Sequence, residues 1–517
     1  MNRNRIILGL VAILVLAFGM TWISSDFRSF QGWGSFLAAI ILGVGILAVG
    51  WWALRTEAIP NWVGWLMVGA ALLRLGCGVL WWVSLPEWGY GTDSELAGYV
   101  MSDAFERDTA AWELSQADKP LWAAFTDFRL ADQYGGLLFI SAVIYRTFGG
   151  DVHQPLMIVV VAASVSALSI PLVWIITRRL WGAAPANVAA WIIALYPEAI
   201  LLGSSQMREA FMMTMVGMGV YGLLLYWQDR KMLGIGWVLG TLALSLPFSY
   251  LFALMLVLVL ITMVLILDRA RIMRNWSLWV VLACLMIVGI AGVWILGERI
   301  YPEGASNPWE LIQQWLVFAA RWERRTAEIS SGWMAKVFRR SPEWTNFWII
   351  LGYGVVQPFL PAALIATGNW VWRIIAIWRA LGWTILLLFL LFASLRAGKD
   401  VRKKFYAAGM SVLVWIGVIL SAYRGGGDQW DNPRYRVTLV ILQAGLVGWV
   451  WTEQRLHPGP WLRRILVGSG WVFAWFVPWY LRRYSSFTWP VIDLFKTLGL
   501  GFASAALYWV WDWVRTE

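Results

Sequence analysis

Runs of about 20 apolar residues, separated by short polar stretches, recur along the chain. A helix crossing a hydrocarbon core of about 30 Å needs such a run, because lipid offers no partner to an unsatisfied backbone N–H or C=O. The pattern predicts spans at 6–23, 33–54, 62–84, 155–177, 185–203, 208–227, 233–248, 250–268, 276–296, 369–395, 405–423, 436–452, 463–481 and 490–511. The predicted fold class is therefore all-α, a polytopic helical membrane protein with about fourteen transmembrane helices. The first run follows a basic Met1–Arg5 and precedes no small-residue cleavage site, so it reads as an uncleaved span. Two apolar stretches do not fit as spans. Tyr134–Phe148 is too short, and 346–366 is interrupted by Pro358 and Pro361. No pair of interrupted, charge-bearing spans of the kind used by transporters stands out.

Composition strengthens this picture. The chain is 60% hydrophobic and 14% charged, where soluble domains carry about 25% charged residues. The formal net charge of +11 reads as topology rather than as a nucleic-acid surface, since basic residues gather on cytoplasmic loops. With a cytoplasmic N-terminus, the inner loops contain Arg178/Arg179, Arg230/Lys231, Arg269/Arg271/Arg274, the basic run from Arg396 to Lys404, and Arg455/Arg463/Arg464. Only Arg482 and Arg483 oppose the rule. Both termini are then cytoplasmic, and 85–153 lies outside. Counting Tyr134–Phe148 as a span would invert several later loops, so it is expected as a surface helix, and 346–366 as a surface or re-entrant element. The expected organisation is two N-terminal helices (1–61), a membrane module with an acidic outer loop (62–296), an extracytoplasmic loop (297–368) and C-terminal helices (369–517). Cys77 and Cys284 both fall in predicted spans, which argues against a disulfide framework, and with only His153 and His457 a histidine-based centre is not expected. The 41 tryptophans exceed what interfacial belts need, and the sequence gives no functional account of them.

The candidate chemistry lies on the outer side. Residues 85–133 hold ten carboxylates, opposed only by Arg107, Lys119 and Arg129. Glu198, Arg208 and Glu209 flank the turn after the fifth span. The long loop carries R-W-E-R-R at 321–325, with Arg324 and Arg325, and Arg434 and Arg436 flank Tyr435 in a late turn. Ionisable groups at membrane depth are costly and point to function. Arginines bind phosphate with fork geometry, and a carboxylate beside a hydroxyl can serve as general base. A lipid-linked sugar phosphate suits that combination. It has an apolar tail for the bilayer, a phosphate for Arg208, Arg324, Arg325, Arg434, Arg436 and Tyr435, and an anomeric carbon open to attack.

The same residues resemble the GT-C membrane glycosyltransferases, the superfamily of the protein O-mannosyltransferases and bacterial aminoarabinose transferases. The matching features begin with an outer loop reading D-A-x-x-x-D-x-x-A-W (Asp103, Ala104, Asp108, Ala111, Trp112). There follow D-Q-Y-G-G at the start of a surface helix, spans ending T-R-R-L-W-G and L-Y-P-E, Glu209 opening the next span, and a late P-R-Y-R turn. The resemblance implies a GT-C-like fold in the cytoplasmic membrane of a bacterial cell envelope. It implies sugar transfer from a polyprenyl-phosphate donor to a glycan, lipid or protein acceptor on the extracytoplasmic face. Asp103 maps to the base or metal-organising aspartate, with Asp108 beside it, and Glu209 to the second acidic position. Asp103 and Glu209 are the expected ligands if a divalent cation (Mg or Mn) takes part.

Blander roles compete at each position. The acidic loop as a whole can be a solvated surface, Asp108 can pair with Arg107 or Lys119, and Glu209 with Arg208. Arg434 and Arg436 can anchor at lipid headgroups, and His153 reads as a helix-start residue. An O-antigen-type polymerase or ligase and a non-catalytic membrane subunit are the competing functions.

Overall fold

The computed structural model describes residues 3–267, 332–396 and 401–516 apart from 427, 429, 430, 489 and 491, with 309, 310, 313, 314 and 325 besides. The span expected at 276–296 and Arg324 lie outside the described residues. All regular structure among those described is helical. Eight helices are long and apolar enough to cross a membrane, at Ile7–Ser24, Trp33–Glu57, Asn61–Trp88, Leu156–Trp181, Arg208–Asp229, Tyr250–Leu267, Trp370–Leu395 and Val401–Gly425. A ninth candidate is a pair, Ala183–Leu195 and Pro197–Gly203, bent by 51°. The expected count of about fourteen is thus not reached among the described residues.

Contacts divide the chain into two units, one of 1–179 and 189–260, the other of 180–188 and 261–517. The first contains α1 (Arg3–Ser24), α2 (Trp33–Leu54), α3 (Asn61–Trp88), the short α4 (Asp93–Leu96), α5 (Ser102–Gln116) and α6 (Gly136–Phe148). Then come α7 (Leu156–Ala167), α8 (Ser169–Trp181), α9 (Ala183–Leu195), α10 (Pro197–Gly203), α11 (Arg208–Asp229), α12 (Leu233–Ser245) and α13 (Tyr250–Leu267), of which the end of α8, the start of α9 and the end of α13 fall in the other unit. α7 is buried on nearly every side, which its unbroken apolar sequence permits.

The span expected at 233–248 is a 13-residue helix, α12, that lies against α11. Its backbone approaches so closely that a Cβ on Gly234 would stand 2.4 Å from the Gly222 carbonyl oxygen. Small residues permit such contact between apolar helices.

α11 shows which segments share an end of this unit. At its start, the Gln206 carbonyl accepts from Arg107 on α5, and Gln206 Nε2 donates to the Pro155 carbonyl just before α7. At its finish, Asp229 meets Arg179, which also binds Glu57 just before α3. Arg178 and the Tyr221 hydroxyl complete that cluster on Glu57. α6 starts beside Arg107 and Arg208 through Asp132, and the chain after it returns to α5 through His153. Both ends of α6 therefore belong with the 85–153 loop, and its 13 residues are short for a membrane span.

The second unit contains α14 (Gly332–Arg340), α15 (Glu343–Val356), α16 (Leu360–Ile365), α17 (Trp370–Leu395), α18 (Val401–Gly425), α19 (Asp431–Val437), α20 (Val440–Leu456), α21 (Trp461–Tyr484) and α22 (Leu494–Thr516). The 346–366 stretch is two short helices around a cis Gln357–Pro358 bond. The span expected at 436–452 begins later, because α19 ends at Val437 and α20 starts at Val440. α21 and α22 form a hairpin in which Asp512 binds Arg463 and Arg464.

Candidate functional site

Helix α5 carries the acidic motif. Its inner face is Ala104, Arg107, Asp108, Ala110, Ala111, Leu114 and Ser115, which brings two charged residues to the buried side of a polar helix. Asp103 sits in the first turn, where the helix dipole favours a carboxylate. The other end is closed by Arg146 of α6, which donates to the carbonyls of Leu114, Ser115, Ala117 and Lys119. The first two belong to the last turn of α5, where no intrahelical N–H follows to receive them.

Asp132 joins α5 to the start of α11. Its buried carboxylate lies 3.4 Å from Arg107 Nε and 3.6 Å from Arg208 Nη1. It also accepts from the backbone N–H groups of Tyr134 and Leu138 at the start of α6. The D-Q-Y-G-G motif explains this geometry. Gly135 takes a φ of 79°, and a Cβ on Gly136 would stand 2.3 Å from the Pro247 carbonyl oxygen. Arg208 also lies over the Tyr134 ring, 5.0 Å from its centroid.

Arg107 is the centre of charge. Burial pushes its guanidinium below its ordinary pKa and Arg208 acts the same way, while Asp132, Glu209 and Asp103 oppose the shift. Two predicted carboxylates and one predicted arginine thus act on a residue that was expected only as a salt-bridge partner. Arg107 Nε, Arg208 Nε and Arg208 Nη1 are buried and find no hydrogen-bond acceptor among the described residues. Asp103 is half-buried, while Glu209 is buried.

Asp108 does something different from the expectation. It pairs with neither Arg107 nor Lys119. Lys119 instead meets Asp127 at the surface. The Asp108 carboxylate is enclosed and accepts from Tyr99 Oη at 2.6 Å and Tyr145 Oη at 2.7 Å, with His153 Nε2 at 2.8 Å. Trp112, one turn along α5, stacks on the His153 ring at 5.2 Å. The second aspartate and the tryptophan of the motif therefore clamp His153, which is more than a helix-start residue. Burial and the Asp108 charge push both phenols well above their ordinary pKa. Asp108 holds the loop together, while half-buried Asp103 in the first turn of α5 is the carboxylate of that helix that acts on Arg107 from its start. Most of the acidic loop is a solvated surface, with Glu87, Asp93, Glu106, Glu113, Asp118 and Asp127 exposed. Glu95 is buried in a local capping box with Thr92.

Of the arginines assigned to phosphate, Arg325 is exposed. Arg434 is bound to Asp431 at 3.0 Å. Arg436 lies 3.2 Å from the centroid of Trp383 and donates to the Gln357 carbonyl. Tyr435 is half-buried, with Arg424 over its ring. The P-R-Y-R turn is thus tied into its own unit by packing. No group of three or more His, Cys, Asp or Glu side chains converges among the described residues.

No protein-family model and no curated protein matches the sequence. Among solved structures, the chain is similar to the archaeal oligosaccharyltransferase AglB from Archaeoglobus fulgidus, determined with an inhibitory peptide and a dolichol-phosphate. The identity is 15% and the TM-score 0.41, over 86% of this chain and 56% of that one. A likeness at this level assigns no residue a role.

Proposed function

We propose that the protein is a membrane glycosyltransferase of the GT-C kind that moves a sugar from a polyprenyl-phosphate carrier to a hydroxyl acceptor on the extracytoplasmic face. The observation that carries this reading is the meeting of Asp103, Asp132, Arg208 and Glu209 around buried Arg107, with Arg208 also paired to Asp132. Asp103 takes the proton of the acceptor hydroxyl as its oxygen bonds to the anomeric carbon. The bond from that carbon to the phosphate oxygen breaks, and the phosphate leaves with its electron pair. Arg208, whose buried Nε has no hydrogen-bond acceptor among the described residues and whose Nη1 is held only by the 3.6 Å ion pair to Asp132, stabilises the charge that grows there. Glu209 keeps the two guanidinium groups from repelling one another.

The test uses membranes supplied with a polyprenyl-phosphate sugar and a hydroxyl acceptor. General-base removal typically costs about 10²–10⁴ in rate, so Asp103→Asn should retain the lipid donor and lose transfer. Exposed Asp118→Asn should transfer normally. Full transfer by Asp103→Asn would overturn the assignment.

A further inference from the structure

Arg74 stands at the middle of α3, a 28-residue apolar helix, and its side chain is wholly buried. A guanidinium stays charged at any physiological pH, and one inside an apolar bundle needs a reason to be there. No carboxylate lies within ion-pair distance of it among the described residues, and Nε and Nη1 find no hydrogen-bond acceptor there. Its one hydrogen bond among the described residues runs from Nη2 to the Ile193 carbonyl, at 3.2 Å.

That carbonyl has a specific deficit. In a continuous helix it would accept from the N–H of residue 197, four positions on, but residue 197 is proline and has no N–H. The chain bends here by 51°, from α9 into α10, as helices do at proline. Arg74 supplies the bond that Pro197 withholds. It also touches the far side of the bend, since a Cβ on Gly203 would stand 2.7 Å from Arg74 Cδ and 2.7 Å from Ser166 Oγ. One side chain therefore grips the broken span before and after its break. Beyond Gly203 the chain enters the 204–207 turn, whose Gln206 carbonyl receives Arg107 and which leads into Arg208.

We infer that Arg74 is a positioning residue, completing the backbone hydrogen bonding that Pro197 interrupts and so fixing the bend that delivers the 204–208 segment to α5. The inference rests on the proposed function only for what that segment then does. The test places a cysteine at Ser205 in a Cys77→Ser, Cys284→Ser background and measures its alkylation rate in detergent. Arg74→Met should raise that rate by about tenfold, on the order of one lost hydrogen bond to a charged group. Arg74→Lys, with a donor but no fork, should fall between. Adding Pro197→Ala to Arg74→Met returns an N–H to the Ile193 carbonyl. Thermal stability should then recover while alkylation stays fast, because the straightened helix no longer holds the turn. If Arg74→Met leaves alkylation unchanged, or if Pro197→Ala restores both stability and slow alkylation, Arg74 is not positioning the turn. Binding of a polyprenyl monophosphate to the same variants separates the two readings. Fast alkylation with unchanged binding would keep the role of Arg74 and reject Arg208 as the donor's partner.

Discussion

Nε2 of His153 and Oδ2 of Asp108 lie 2.8 Å apart, joining the end of the outer loop to its acidic helix across 45 residues of chain. Asp108→Asn removes the charge from an enclosed site that holds two phenols and an imidazole. A buried group left with unsuitable partners costs about 1–3 kcal/mol, so the thermal unfolding temperature in detergent should fall clearly. His153→Ala should fall less, because the ring is partly exposed. Wild-type stability in Asp108→Asn would return this residue to the catalytic role expected from the sequence.

Tyr99 and Tyr145 give this network a pH signature. Burial, the Asp108 charge and the hydrogen bonds to Asp108 hold both phenols well above the ordinary 10.0. A raised phenol pKa contributes stability that is complete below the unfolded value and is lost as pH rises through the folded one. Unfolding temperatures should therefore be insensitive to these groups up to about pH 10 and decline beyond it. Tyr99→Phe should decline less steeply, and an unchanged alkaline slope in that variant would count against the network.

Arg434 and Arg436 should separate. Arg436 lies against buried Trp383 and satisfies a backbone carbonyl, so Arg436→Gln should destabilise the protein by about 1–3 kcal/mol. Arg434 is buried too, but its partner Asp431, three residues away, is partly exposed to water that screens the pair, so Arg434→Gln should cost less than Arg436→Gln. Unfolding in detergent measures both. A stable Arg436→Gln that loses affinity for a polyprenyl monophosphate would restore the phosphate role to this turn.

Sidedness follows from the two ends of α11. A cysteine at exposed Asp118 and one at exposed Lys231 should label from opposite faces of the membrane. The charge rule puts Asp118 outside. Labelling of both by an impermeant reagent added to intact cells would contradict the arrangement.

What could be read from the sequence followed the physics of runs. Spans such as 33–54, 62–84, 208–227 and 369–395 are long enough to declare themselves, and Tyr134–Phe148 is a helix of only 13 residues, as its short apolar run suggested. Runs alone could not show that Pro247 stops α12 at a length of 13 residues, or that the span ending L-Y-P-E is bent. This bend, where Glu198 follows Pro197, is the one broken span among the described residues. In the site, Asp103, Arg208 and Glu209 were legible because each opens a helix next to an acidic or apolar boundary. Arg107 and Asp132 were visible only as charges within the loop, and the tie between Asp108 and His153 depends on a tertiary approach without a local pattern. Arg74 had one signal, a lone arginine inside an apolar run, whose partner could be named only once the bend was seen.

The ion clusters at Arg208 and Asp229 make α11 a gauge of fixed length. Its 22 residues span roughly 33 Å at about 1.5 Å each, close to the thickness of an ordinary hydrocarbon core. Because polar partners hold both tips, this helix cannot slide to suit a thinner bilayer, and tilting would drag Glu57 or Asp132 with it. The surrounding lipid must adapt instead, which ties the outer cluster to acyl-chain length. In short-chain lipids the bilayer would have to thicken locally around this unit, at a cost of fractions of a kcal/mol per Å of mismatch.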